Sequence, residues 1–387
     1  MEVAWLSPRT RPEEVAVVLG ARRLTAIITA TTSLLAVATP VPARWRQVAE
    51  LVGRDIVAYD WFGSGVAVSG GTIVAGAPQK ANSVGRAYVF ENGRSGWHQV
   101  AELAPSDGAE YDNFGSPVAV SGGYVVVGGA SGADKVYIFT HGAKGWRQAA
   151  ELKWGEDTGF GSTLGISGGT LVVGTFGIPV GAFVFSAANG WHQIAELMPR
   201  DLDEDSQFGR AVAISGGTIV VGAPESSPGE TGRAYIFTRS STGWHQAAEM
   251  RGPYGYNFYG ISVAASGSTV AVGDGSVVRL YTEGVSGWHQ VAELSSGEPS
   301  YIGTEGDVAM SGGTVVSGTY GGDSAIVFQR GPTGWHQVAA VVGKNMSDVA
   351  DFGGDPGEVG VSGNTVVIGA DEAAGQAGRA YVFQITN

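Results

Sequence analysis

The sequence predicts an all-β protein: a seven-bladed β-propeller of four-stranded antiparallel blades, closed by an N-terminal strand that completes the last blade. Three observations carry this. Segments opening W-[HR]-Q recur at Trp45, Trp97, Trp146, Trp191, Trp244, Trp288 and Trp335, spaced 44 to 53 residues apart, and periods of this size belong to propellers and solenoids. Each unit breaks into short β-branched runs bounded by glycine; in the unit opening at Trp191 they are Trp191–Leu197, Ala211–Ser215, Thr218–Gly222 and Arg233–Thr238, as a four-stranded blade requires. No stretch after residue 44 keeps a helical period.

Two regions follow: residues 1–43, which resemble a signal peptide, and residues 44–387, a single propeller domain. In the first, Arg22-Arg23 precedes Leu24–Ala38, which carries no charge, and Val41-Pro42-Ala43 supplies small residues. That order is the one an export signal shows. The apolar run is short for a membrane span. The expectation is a secreted monomer with no membrane association once the signal is removed. With no cysteine in the chain, neither disulfides nor thiolate metal sites are available to stabilise it, so the core must do so, and a chain of 387 residues can bury a large one. The formal net charge of -13 repels phosphate backbones and excludes nucleic acid as the expected partner.

From the axis outward, the strands of a blade are A (FG to Ser), B (TIVVGAP), C (GRAYVF) and D (WHQVAEL). Between A and B stands Ser-Gly-Gly or a close variant, as at Ser69-Gly70-Gly71 and Ser215-Gly216-Gly217, where glycine supplies the positive φ of a tight hairpin. The chain enters the repeats on a D-type strand, Trp45–Leu51, and leaves on a C-type strand, Gly378–Phe383. The last blade therefore lacks D, and the N-terminal strand supplies it, which removes an open edge.

Phe62-Gly63 with Gly76-Ala77-Pro78, and Phe208-Gly209 with Gly222-Ala223-Pro224, resemble the FG-GAP repeat of integrin α-subunit heads, and more closely its bacterial variant with a Ser-Gly-Gly turn between the motif halves. The resemblance covers residues 45–387 and implies the propeller; the family is a scaffold of many uses. It also implies where calcium would sit in integrin-like blades, in the A-to-B hairpin. Here those hairpins lack the several carboxylates calcium takes, and Asp201, Asp203 and Asp205 lie elsewhere, in a D-to-A loop. No metal and no cofactor are expected. His98, His192, His245, His289 and His336 follow the repeat tryptophan on separate blades, so they read as structural.

Residues that break the repeat are the informative ones. The face where D-to-A and B-to-C loops open carries Tyr59, Asp60, Trp61, Tyr111, Asp112, Trp154, Tyr254, Tyr256, Tyr259, Tyr301 and Tyr320, aromatics beside carboxylates as binding surfaces use them. Counting back from each A-to-B turn, the motif Phe position reads Phe62, Phe114, Phe160, Phe208, Tyr259, Thr304 and Asp355. On the same count Asp307 and Glu358 take equivalent inner-strand positions, and Asp274 and Glu305 lie nearby. Those four are the candidate acid–base residues, because crowded carboxylates shift one another's pKa. Two functions remain: one asymmetric site binding a carbohydrate or other small polar ligand, as the fungal seven-bladed lectins resembling this family suggest, or an enzyme using the acidic pair at that site. Protein adhesion is a third, weakened by the missing calcium hairpins. Few basic residues are expected on this face.

Overall fold

The motif phenylalanine stands at or a few residues before the start of the innermost strand, and its ring anchors the blade. Phe62, Phe114 and Phe208 are fully buried, each set edge-on against the Tyr and Phe of its own C strand: Phe62 on Tyr88 and Phe90, Phe114 on Tyr137 and Phe139, Phe208 on Tyr235 and Phe237. Burial of one such ring stabilises by about 1.5–3 kcal/mol. The glycine that follows turns the chain into strand A. Gly63 has φ +105° and donates its N–H to the Gly76 carbonyl at 2.8 Å, and only glycine takes that φ without strain.

The computed structural model describes residues 44–129, 134–155, 158–175, 181–201, 207–224, 231–253, 258–296, 307–319, 324–344, 353 and 358–386. These residues form seven four-stranded antiparallel sheets. Blade one consists of Val66–Ser69, Thr72–Ala77, Arg86–Gly93 and Gly96–Leu103. The A strands of blades two to seven are Phe114–Ser121, Thr163–Ser167, Ala211–Ser215, Ser262–Ser266, Val308–Ser311 and Val359–Ser362. Blade seven takes its outer strand from the N-terminal side: Arg44–Leu51 pairs antiparallel with Arg379–Thr386, with Trp45 opposite Ile385 and Leu51 opposite Ala380. The expected closure is the observed one.

Core clusters span neighbouring blades; Ile73, Tyr88 and Phe90 of blade one pack with Val367 and Val382 of blade seven. Where blades meet, the glycine of GAP is indispensable. A Cβ on Gly76 would overlap the Gly115 carbonyl of blade two, one on Gly222 the Gly260 carbonyl, and one on Gly318 the Gly353 carbonyl. That last contact corrects the sequence alignment of blade seven. Gly353 donates to the Gly369 carbonyl at 3.0 Å, as Gly63 does to Gly76, so the motif there is Phe352-Gly353 and not Asp355. Extra residues inserted between the motif and strand A defeat a fixed count back from the turn. Asp355 lies outside the described residues.

Three sets of polar contacts lock the seams. At six of the seven seams the Ser of the A-to-B turn accepts the N–H of the first turn Gly of the next blade: Ser121 from Gly168, Ser167 from Gly216, Ser215 from Gly267, Ser266 from Gly312, Ser311 from Gly363 and Ser362 from Gly70, at 2.8–3.0 Å. On the outside, the Gln of W-x-Q accepts a backbone N–H from the D-to-A loop of its neighbour, Gln99 from Arg54 at 3.0 Å and Gln47 from Lys344 at 2.8 Å. The indole Nε1 atoms of Trp45, Trp97, Trp146, Trp244 and Trp288 have no protein partner, so in the Trp–Gln pair the ring packs and the amide does the hydrogen bonding. The third set, on the opposite face, builds the candidate site.

Candidate functional site

Blades one and two carry the same D-to-A loop. In the first, Asp60 Oδ2 accepts the Val57 N–H at 2.7 Å, and in the second Asp112 Oδ2 accepts the Ala109 N–H at 2.8 Å. Each carboxylate reaches back three residues and closes a tight turn on its own backbone. The turn forces flanking residues into the left-handed region: Tyr59 at φ 69°, Trp61 at 56°, Tyr111 at 71° and Asn113 at 51°. Such φ values are uncommon for non-glycine residues, and bulky ones there are outliers. The result is outward-pointing aromatics: Tyr59 is 68% exposed, Tyr111 71% and Trp61 37%.

The preceding blade's B-to-C loop clamps each turn. Trp61 and Phe62 donate their N–H groups to the Gln376 and Ala377 carbonyls at 3.2 and 3.0 Å; Asn113 and Phe114 donate to Ser83 and Val84 at 2.8 and 3.1 Å. The clamping segments, Lys80–Ser83 and Ala373–Gln376, are single helical turns that themselves contain left-handed residues. Ser64 Oγ donates to the buried Asp371 carboxylate at 2.8 Å, tying blade seven's loop to blade one. Lys80 reaches Asp60 at 3.1 Å and Asp55 at 3.3 Å. Burial opposes the charge on Asp55, but the Tyr88 hydroxyl at 2.9 Å and the Lys80 ammonium outweigh it and lower its pKa. Blade two repeats this support: Lys135 and, against burial, Tyr137 hold Asp107 down at about 2. The sequence suggested loops that do not repeat. Tyr59-Asp60-Trp61 and Tyr111-Asp112-Asn113 are a repeat, hidden by differing lengths elsewhere.

The remaining candidates fall in different places. Trp154 is half-buried and stacks on Phe183 at 4.4 Å. Tyr259 is fully buried in the motif Phe position, its hydroxyl donating to Tyr281 at 2.7 Å, and burial pushes its pKa up. Asp274 accepts the Ser276 and Val277 N–H groups at 3.0 Å and pairs with Arg279. Tyr254, Tyr256, Tyr301, Tyr320 and Glu305 lie outside the described residues.

Asp307 and Glu358 do hold equivalent positions: Gly318 donates to the Asp307 carbonyl and Gly369 to the Glu358 carbonyl, at 3.1 and 2.8 Å, as Gly76 does to Gly65. This position faces the seam. A Cβ at Gly65 would point at Gly115 and Val118 of the next blade, and Thr163 in blade three donates to the Gly209 carbonyl of blade four at 2.9 Å. Glu358 is wholly buried, whereas Asp307 is half-buried and lines the axial cavity. The histidines make local contacts on separate blades, His98 to the Gly96 carbonyl and His245 to the Thr242 hydroxyl. Among the described residues no group of three or more His, Asp or Glu could hold a metal ion.

The axis holds a cavity of about 250 Å³ walled by the A strands of all seven blades. Its lining is small and aliphatic apart from a few polar residues at the loop-face end, among them Arg210 of blade four and Asp307 of blade six. Sequence reasoning missed Arg210, although the residue after Phe-Gly is Ser in blades one to three and Arg only here.

The FG-GAP repeat family matches residues 45–90, 97–139 and 191–237. No curated protein sequence matches the chain. Among solved structures, a chain of the mitotic checkpoint complex is 14% identical with a TM-score of 0.60, over 95% of this chain and 100% of that one. The β-propeller domain of Cps50 (Swd1) from Myceliophteria thermophila is 12% identical with a TM-score of 0.61, over 89% and 100%. At these identities the likeness concerns fold alone.

Proposed function

We propose that this seven-bladed propeller, three of whose segments match the FG-GAP repeat, is a binding module that takes a carbohydrate or another small polar ligand on the face where the D-to-A and B-to-C loops open. The observation that carries this reading is the twin loop: Tyr59 and Tyr111, on adjacent blades, held exposed in the same left-handed conformation by buried or backbone-bonded carboxylates. Exposed aromatics that cost conformational strain to display call for a use outside the core, and a flat ring with a polar tip suits the apolar face and hydroxyl rim of a sugar. Two such rings on one rigid rim suit a ligand long enough to touch both.

The acid–base alternative has less support. It needs two carboxylates that face one space, yet Asp274 is spent on Arg279 and two backbone N–H groups, and Glu358 is wholly buried. Export remains part of the proposal, on the order of charges and apolar residues in 1–43.

A glycan array followed by calorimetry tests the reading. Tyr59→Ala or Tyr111→Ala should each weaken binding about tenfold, the equivalent of ~1.4 kcal/mol, with an unchanged thermal melt. Unchanged affinity in both variants would remove the rim from the binding surface, and release of product from the same glycans would move the protein into the enzyme class.

A further inference from the structure

Given the aromatic rim as the binding surface, we infer that it has two chemically different halves and that its ligand is a glycoside with an aromatic aglycone. The sugar ring lies on the blade-two half, before Glu110 and Asn82. The aglycone lies on the blade-one half, against Val57 and Trp61.

The twin loops share a backbone but not their side chains. Val57-Ala58-Tyr59-Asp60-Trp61 aligns with Ala109-Glu110-Tyr111-Asp112-Asn113, residue for residue through the turn that the Asp closes. Only the tyrosine and that Asp are common to both. Around Tyr59 the neighbours are apolar: Val57 is 60% exposed, Trp61 is exposed as well, and the clamping turn adds exposed Ala374 and Gly375. Around Tyr111 the same positions are polar. Glu110 stands for Ala58, Asn113 for Trp61, and Asn82 of the clamp for Gly375. Asn113 is engaged within the loop, accepting from Gln79 at 3.2 Å and donating to the Tyr111 carbonyl at 2.9 Å. Glu110 and Asn82 are exposed, with the Asn82 amide donating to Glu110 at 3.5 Å.

The two halves abut. Lys80, at the start of the turn that clamps loop two, pairs with Asp60 of loop one at 3.1 Å, and the Ser83 carbonyl at its end accepts the Asn113 N–H of loop two at 2.8 Å. Ala81 and Asn82 therefore bridge the loops, and one ligand can lie across both. A carboxylate only accepts, and its two oxygens take two hydroxyl protons at once, so Glu110 suits a vicinal diol. The Asn82 amide adds a donor for a hydroxyl or ring oxygen. Valine and indole offer a hydroxyl nothing, and stripping water from one there is costly. That half suits a bare aromatic ring, which packs edge-on or offset against Trp61 or Tyr59. Glu110 also disfavours an acidic sugar on its half, because like charges repel across an interface.

Calorimetry on the full chain with the phenyl and methyl glycosides of glucose, galactose and mannose, in both anomers, separates the halves, since each pair shares its sugar and differs only in the aglycone. In the best-binding pair the phenyl glycoside should bind about tenfold more tightly than the methyl one. Val57→Ser and Trp61→Ala should each shrink that preference and leave the affinity for the methyl glycoside unchanged. Val57 is mostly exposed, so its variant keeps the test open where replacing Trp61 disturbs the loop. Glu110→Gln should weaken both members of the pair about tenfold and leave their ratio intact. Equal affinity for phenyl and methyl glycosides, a preference indifferent to both apolar substitutions, or affinity indifferent to Glu110→Gln overturns the two-half rim while leaving the rim a sugar-binding surface. No heat with any of these glycosides also overturns it; a glycan-array signal in that case keeps the rim as a sugar-binding surface, and a blank array removes both.

Discussion

Gly76, Gly222 and Gly318 show why a motif letter must be read through its surroundings. In the sequence the glycine of GAP looks like strand punctuation. In the structure its missing side chain is filled by the next blade's carbonyl oxygen, Gly260 in the case of Gly222. Gly70 is glycine for a different reason: it has φ +57° in a turn and open space where a Cβ would go. The two should therefore fail differently. Gly222→Ala forces backbone apart at a seam and should destabilise by ~3 kcal/mol or more. Gly70→Ala costs only the left-handed penalty of ~1–2 kcal/mol. Chemical denaturation of both variants measures the difference, and equal losses would show that the seam does not carry the strain. The same residue-level view explains Tyr259, which the sequence put both among the loop-face candidates and at the motif Phe position, and which the structure buries at the second. It substitutes for the motif phenylalanine and spends its hydroxyl on Tyr281; burial of the whole ring follows from its register with Gly260, which the Y-G spacing already contains.

At the scale of the element, the D strand holds a feature that no alternation pattern discloses. W-H-Q-V-A-E-L reads as a plain half-buried strand, and the exposure of His98, Val100 and Glu102 obeys that reading. Yet the register slips once in every blade at the same place. Phe90 opposes Gln99 and Val89 opposes Ala101, leaving Val100 out of the ladder; Val48, Ala149, Ile194, Ala247, Val291 and Val338 are skipped in the same way. A bulge bends and twists a strand, and at an edge that makes the backbone a poor template for a second chain. Seven outermost strands, four of them with an exposed valine at this position (Val48, Val100, Val291 and Val338), would otherwise be seven invitations to pair. Deletion of Val100 restores a regular edge to one blade. The expected outcome is concentration-dependent association by light scattering, beyond that of the parent chain, with little change in secondary structure; a variant that scatters like the parent would show that the charged Glu102 row suffices.

At the scale of the whole molecule, the legible and the illegible divide along the sequence separation of the contacts. Blade count, strand order and closure were readable because each depends on local patterns repeated in the chain: Trp45 to Trp335 count the units, and the order of D and C strands at the two ends dictates the clip. The site was read less well. Its parts meet across blades, as Trp61 does with Gln376 or Arg210 with the cavity wall, and inserted residues such as those after Gly353 shift the positional count on which Asp355 rested. The seams also explain why closure matters more than the stability of any one blade. Arg44–Leu51 contributes the Trp45 and Ala49 contacts to the blade-seven and blade-one clusters, the Gln47 bond to Lys344 and the Glu50 pairing with Arg379 at 3.1 Å. Without it, Arg379–Thr386 becomes an unpaired edge beside buried Leu51's empty place, in a ring whose every seam depends on its neighbours. Removal of residues 1–51 should lower the melting temperature by more than ten degrees, a loss of several kcal/mol for a chain of this size, and should drive aggregation. Removal of residues 1–43 leaves every one of those contacts intact and should leave the melt unchanged. If the two truncations melt alike, the N-terminal strand is not what holds the ring closed.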